Sequence, residues 1–228
     1  MAFVIPAPEA PSLAVAGSAD RFPVRRIYCV GRNYADHAKE MGADPTREPP
    51  FFFMKPADAV VPDGADVPYP PGTANLHHEV ELVVAIGRQG RDVAAEAALD
   101  LVWGYAVGND LTRRDLQTAA KGKGHPWEVG KGFDHSAPIG PLHPAASVGH
   151  PAAGAITITV NGVERQRGDL ADMIWPVPDI VSHLSKLFVL MPGDLIMTGT
   201  PAGVGPVVAG DTLVCAIDGL GTLTTRIV

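Results

Sequence analysis

The stretch LHHEVELVVAIG, residues 76–87, decides the fold of this chain. Its second half is an apolar run of strand length, and its first half carries two glutamates, Glu79 and Glu81. Side chains two residues apart on a strand share a face, so both carboxylates project in one direction. Val83 and Ala85 continue that face, while Val80, Leu82, Val84 and Ile86 make the other. A strand apolar on both faces is covered on both; a solvent-facing edge of alternating charge would also carry polar residues at 83 and 85. Carboxylates under such cover are expensive to desolvate, and two together repel. The pair therefore calls for a cation, which a divalent ion or an Arg or Lys partner could supply.

Working outward, VRRIYCVG (24–31) reads as a strand ending at Gly31, and NYADHAKEMG (33–42) as a short helix closed by Gly42. PPFFFMKP (49–56) has a strand-sized apolar core between prolines, followed by turn-rich sequence through YPPGTAN (69–75). A helix is expected around Ala94 to Leu101. LVWGYAVGND (101–110) reads as a second buried strand ending at Asp110, with a helix directly after it in which Thr112 is the candidate N-cap and Asp115 stands three residues on. The last third is rich in β-branched residues, has a hairpin signal at Asn161-Gly162, and contains one helix, VPDIVSHLSKLFVL (177–190). The class is mixed α/β and mainly β, without βαβ regularity. No repeat or long linker divides it, so the expected organisation is an arm over residues 1–23 and a single domain over 24–228.

Hydrophobic content of 46% against 19% charged residues excludes a disordered chain. A net charge of −7 argues against nucleic acid and anionic membrane surfaces as partners. Cys29 and Cys215 each lie within an apolar run and read as buried thiols, with no disulfide framework or cysteine-based zinc site. The N-terminus is apolar but lacks a basic lead-in and is broken by prolines, which argues against a signal peptide. No run is long enough to cross a bilayer, and the cytoplasm is the expected location.

Asp110, at a strand-to-helix junction, turns the glutamate pair into a candidate triad of hard oxygen ligands suited to Mg²⁺ or Mn²⁺; a helix cap is the competing reading. In GRNYADHAKEM (31–41), His37 and Glu40 are three apart, so on a helix they touch, and a carboxylate beside an imidazole raises its basicity and orients its tautomer. The competing reading is a surface helix laced with charges. His77 and His78 read as structural strand-end groups, and His125, His135, His143, His150 and His183 carry no motif signal. TGTPAGVG (198–205) lacks the ending of a P-loop, and its glycines suit close approach of backbone N–H groups to a substrate carboxylate.

Five blocks in order, VGRNYADH, NLHHEVEL, GYAVGNDLTRRDLQ, PWEVGKGFDHSAP and PGDLIMTGTPAGVG, resemble the fumarylacetoacetate hydrolase family, whose members hydrolyse carbon–carbon bonds of acylpyruvates. The resemblance runs from about Val24 to the C-terminus. FPVRRIYCVGRNYADHAKEMG, EPPFFFMKPADAVV and LADMIWPV are most similar to the fumarylpyruvate hydrolases of gentisate degradation within it. The resemblance implies the family's fold, Glu79, Glu81 and Asp110 as ligands of Mg²⁺ or Mn²⁺, His37 and Glu40 as a water-activating dyad, and Lys131 as a cation near the metal. It further implies substrate contacts from Gln117 and Thr200, with Arg32 and Tyr34 beside the dyad as further candidates. A small-molecule acylpyruvate as substrate and a homodimeric assembly follow on the same ground, with oxaloacetate decarboxylation or isomerisation of a dioxo acid as alternative activities.

Overall fold

The computed structural model describes residues 3–40 and 49–228. Its centre is an eight-stranded mixed sheet in which Val80–Ile86 lies between Asp194–Met197 and Val102–Asn109, antiparallel to both. All seven residues of Val80–Ile86 are buried. Val80, Leu82, Val84 and Ile86 enter the larger core, whereas Val83 and Ala85 enter a second core on the opposite side. This is the double cover that the apolar run demands. Arg26–Gly31 extends the sheet parallel to Asp194–Met197, and Phe51–Lys55 pairs antiparallel on its far side.

The last third forms a five-stranded sheet over the larger core, in which Ala155–Val160 pairs with both Val163–Asp169 and Thr212–Ile217. The Asn161-Gly162 turn joins the first two, with φ of 53° and 77°, the left-handed pair that a two-residue hairpin requires. Ile156, Ile158, Leu213, Cys215 and Leu223 face inward from this sheet. Helix Val177–Leu187 buries Ile180, Val181 and Leu184 against the same core. A third sheet, of three short strands, contains Leu76–His78.

The expected helices appear at Ala35–Glu40, at Arg114–Lys123 and, in 3₁₀ form, at Ala95–Leu101. The closing residue assigned to the first, Gly42, lies outside the described residues. Thr112 is not a helix cap: it stands in the two-residue strand Thr112–Arg113, and its hydroxyl donates to the Asp110 carbonyl at 3.0 Å. Asp115 does not close a capping box; it accepts from Thr73 Oγ1 at 2.6 Å and from the Ala74 N–H at 3.1 Å, tying the preceding loop to the helix start. Within the expected arm, Ser12–Ala14 and Arg21–Pro23 pair with each other, and Leu13 and Phe22 pack in the second core beside Ile27 and Leu142. Both cysteines are buried and unpaired. Among the described residues, no helix is long and apolar enough to cross a membrane.

Candidate active site

The chain leaves the three-stranded sheet at His78 and enters the central sheet at Val80, so Glu79 sits at the crossing. Side-chain amides and a backbone bond peg this crossing. The Glu79 N–H donates to Asn109 Oδ1 at 2.9 Å, the Asp110 N–H donates to the Glu79 carbonyl at 2.8 Å, and the Val80 N–H donates to Gln166 Oε1 at 3.2 Å. Glu81 stands opposite Gly108 in the ladder. A side chain at 108 would crowd Val83 Cγ2, 2.5 Å from an ideal Cβ. The outcome is a cluster of buried carboxylates, Glu79, Glu81 and Asp110, with one oxygen from each lying within 4.8 Å of the others.

Cations surround the cluster unevenly. Lys131, at the end of the short helix Glu128–Lys131, places its ammonium 2.8 Å from Glu79 Oε2, 2.7 Å from Asp110 Oδ2 and 2.6 Å from Thr112 Oγ1. Arg114 donates to Glu79 Oε1 and to Gln117 Oε1. Lys55, fully buried, lies 2.7 Å from Asp110 Oδ1. Glu81 takes only the Gly199 N–H, at 2.7 Å, among the described residues.

The ionisation of the glutamates separates accordingly. Burial raises the Glu79 carboxyl, but Lys131 and Arg114 outweigh it and hold the group well below the usual carboxylate range. Burial drives Glu81 well upward, and the neighbouring Asp110 and Glu79 charges drive it further. Glu81 thus asks for the positive charge that Glu79 already has. Three hard oxygen donors with one undercompensated carboxylate suit a divalent cation such as Mg²⁺ or Mn²⁺. Burial, and then the Arg114 guanidinium, lower His77 to about 4, so it is neutral at physiological pH, and it pairs with Asn75 Oδ1 at 3.0 Å.

His37 and Glu40 come together on helix Ala35–Glu40 with Nδ1 3.2 Å from Oε2. His37 is buried and lines the same cavity as the triad, together with Arg32, Gln117, Thr200 and Lys131. Glu40 also accepts the Gly203 N–H at 3.2 Å. The glycine loop therefore turns its N–H groups at 199 and 203 toward two of the protein's own carboxylates, where an approach to a substrate carboxylate was expected. Tyr34 does not line this cavity. It faces an adjoining one with Asp172 and Pro201, and its hydroxyl is buried without a partner among the described residues.

Several site residues carry no sequence signal of their own. Lys55 hides in an apolar strand, FFFMK, where a lysine would ordinarily mark an edge. Asn33 is fully buried and donates to the Thr198 and Trp175 carbonyls at 2.7 and 3.0 Å while accepting the Trp175 N–H at 2.7 Å. It fastens the loop that precedes His37. Gln166 is the one buried residue of Val163–Asp169, and Trp127 and Phe53 supply apolar cavity wall.

A buried carboxylate triad sharing one cavity with a histidine that is paired to a glutamate, in a mainly β fold, defines a metal-dependent enzyme. The chain belongs to the fumarylacetoacetate hydrolase family, matching its C-terminal domain over residues 26–228. It is similar to the fumarylpyruvate hydrolase of Pseudomonas aeruginosa, whose crystal structure holds Mn²⁺ and pyruvate: identity is 58%, coverage 100% of this chain and 99% of that one, and the TM-score 0.97. It is also similar to the mitochondrial oxaloacetate tautomerases FAHD1 of Mus musculus and Arabidopsis thaliana. The former is 43% identical, covering 89% of this chain and 91% of the mouse protein. The latter is 45% identical, with 86% and 87% covered.

Proposed function

We propose that this chain hydrolyses the C3–C4 bond of an acylpyruvate, converting fumarylpyruvate to fumarate and pyruvate in gentisate degradation. The observation that carries this reading is that His37, paired with Glu40, lines one cavity with the triad, in a chain 58% identical over its full length to the Pseudomonas enzyme. Glu79, Glu81 and Asp110 would hold the metal, which when bound would supply Lewis-acid stabilisation to the oxygens of the dioxo-acid substrate. His37, oriented by Glu40, takes a proton from water. The resulting hydroxide adds to the C4 carbonyl, and the C3–C4 bond breaks with its electron pair passing into a pyruvate enolate. Lys131 places its ammonium beside the developing oxyanion. A proton delivered to C3 gives pyruvate, and the acyl part leaves as the second acid.

Fumarylpyruvate has a carboxylate at its far end, and the fold narrows the cations that can meet it. Arg113 leans over Phe133 at 4.4 Å and away from the cavity, Lys123 lines a separate surface groove, and Arg114 is engaged by Glu79. Arg32 and Lys121 both line the cavity wall. Arg32 has φ of 58° and its guanidinium lies 5.5 Å from the Phe51 ring centre, an uncommon backbone state for a non-glycine residue.

The test is turnover of fumarylpyruvate with Mg²⁺ or Mn²⁺, followed by pyruvate release, with maleylpyruvate and oxaloacetate alongside. The similarity to oxaloacetate tautomerases supports a second reading, enolisation or decarboxylation of oxaloacetate, which needs the same chelation and enolate but no attacking water. His37→Ala should collapse acylpyruvate hydrolysis while Mn²⁺ still binds. Higher kcat/KM on oxaloacetate than on either acylpyruvate would overturn the hydrolase assignment. We further propose a homodimer, supported by the family resemblance and tested by sedimentation, and a cytoplasmic location, which rests on the sequence reading alone and is tested by cell fractionation.

A further inference from the structure

Gln166 reaches inward from an otherwise exposed stretch and is 1% exposed. Its amide orientation is dictated by two backbone groups whose roles cannot be exchanged. The Val80 N–H can only donate, and it points at Oε1 at 3.2 Å; the Pro201 carbonyl can only accept, and it meets Nε2 at 2.7 Å. The second proton of Nε2 is therefore directed at Thr200 Oγ1, 2.8 Å away. Thr200 must accept that bond. Its own hydroxyl proton has no acceptor among the described residues and belongs to the cavity that Thr200 lines. At the other end of the chain, His78 Nδ1 lies 2.9 Å from the same Oε1, which requires the proton to sit on Nδ1.

We infer that Gln166 is a positioning residue for the reaction: it holds the Thr200 hydroxyl proton toward the ligand, so that Thr200 selects an oxygen acceptor such as a carboxylate or enolate and disfavours a group that can only donate, such as an amide N–H, at that point. The inference rests on the reading that Thr200 touches the substrate. It assigns to Gln166 no contact with substrate or metal.

Gln166→Glu tests the direction of the bond. The new carboxylate still accepts from Val80 and His78, but it lacks both protons of Nε2: it has none for Thr200, whose hydroxyl then turns inward to donate to it, and none for the Pro201 carbonyl, a structural loss common to the wild-type and Thr200→Val backgrounds. Acylpyruvate kcat/KM should fall about 10- to 100-fold, the usual worth of a hydrogen bond to a charged group, mostly through KM, while Mn²⁺ affinity measured by titration stays unchanged. In a Thr200→Val background the same substitution should change kcat/KM less than twofold. Equal losses in both backgrounds would mean that Gln166 is only structural and would overturn the inference. If Thr200→Val alone leaves kcat/KM intact, it is the substrate-contact reading that fails. Should Gln166→Glu not fold, Gln166→Met serves: it removes the pin without supplying an acceptor, and a loss that persists in the Thr200→Val background overturns the inference equally.

Discussion

Lys55→Met is the substitution whose cost follows most directly from the geometry. The ammonium is wholly buried, lies 2.7 Å from Asp110 Oδ1, and donates to the Leu111 carbonyl at 3.1 Å and to the Lys131 carbonyl. Methionine keeps the apolar stem, so no large cavity opens, and the loss is electrostatic. Removing one partner of a buried ion pair costs about 3–5 kcal/mol. Here Asp110 retains Lys131 at 2.7 Å on its other oxygen, which places the ion-pair loss near the lower bound. Two carbonyls also lose a donor, at about 1 kcal/mol each. Since one group makes all these contacts, the losses overlap, and the expected total is ~4 kcal/mol, a large share of the 5–15 kcal/mol that ordinarily separates folded from unfolded chains. For a chain of this size that corresponds to a fall in Tm of about 8–16 °C. Urea unfolding in chelator, followed by far-UV circular dichroism and tryptophan fluorescence at constant m-value, measures it. A loss below about 1 kcal/mol would refute the reasoning, because it would mean that Asp110 and the two carbonyls find other partners at no cost.

Three further outcomes are expected. With no metal, the folded protein holds the Glu81 pKa above its ordinary value of 4.5, first by burial and then by the Asp110 and Glu79 charges. That group costs nothing while protonated in both states, and its cost grows as pH rises above about 4.5 toward the folded value. A bound dication removes that cost, so the Tm gap between Mn²⁺-loaded and chelated protein should widen from pH 5 to pH 8, with proton release on metal uptake read by calorimetry in buffers of different ionisation enthalpy; a gap that narrows refutes the Glu81 assignment. Asn33→Ala removes three hydrogen bonds, one buried and two partly buried, and should cost ~3 kcal/mol in urea unfolding, together with a fall in kcat, since the same bonds fasten the loop leading to His37. Gly199→Ala combines φ of 95° with an ideal Cβ 2.7 Å from Asn33 Cβ; a loss of at least about 2 kcal/mol is expected, and wild-type stability would show that the loop relaxes freely.

Much of this architecture was legible because it is local. The period of residues 80–86 announces a strand with both faces covered, and the structure divides those residues between two cores as the alternation requires. The Asn161-Gly162 turn and helix Val177–Leu187 follow from turn chemistry and amphipathic spacing in the same way. What local pattern misassigned is equally instructive. Thr112 has the residue type and position of a helix cap, yet its hydroxyl accepts from Lys131 Nζ at 2.6 Å. A threonine that can cap can also bridge a lysine and a carbonyl, and only tertiary contact decides between them. Lys55, Asn33 and Gln166 were invisible for the same reason: each satisfies groups distant in sequence, and nothing in the flanking residues encodes that.

The glutamate pair shows where local reading reaches and where it stops. Electrostatics on the sequence alone demands a cation for two covered carboxylates, and it leaves open whether that cation is a side chain or a metal. The structure answers differently for the two residues. Glu79, at the crossing between sheets, is ion-paired with both Arg114 and Lys131; Glu81, two residues on and inside the ladder, feels the Lys131 charge but contacts neither cation among the described residues, and its hydrogen bond is from a backbone N–H. Both remedies are thus present in one motif. The side-chain cations hold Glu79 ionised and aimed before any ligand arrives, and Glu81 keeps a deficit of positive charge at the place where the three carboxylates converge. A site whose ligands were all neutralised by lysine and arginine would have little to gain from a dication, and one with no internal cations would confront three converging anions with nothing to offset their repulsion. The asymmetry between Glu79 and Glu81 is what leaves the cluster receptive to a dication at Glu81 while the charge on Glu79 is already offset.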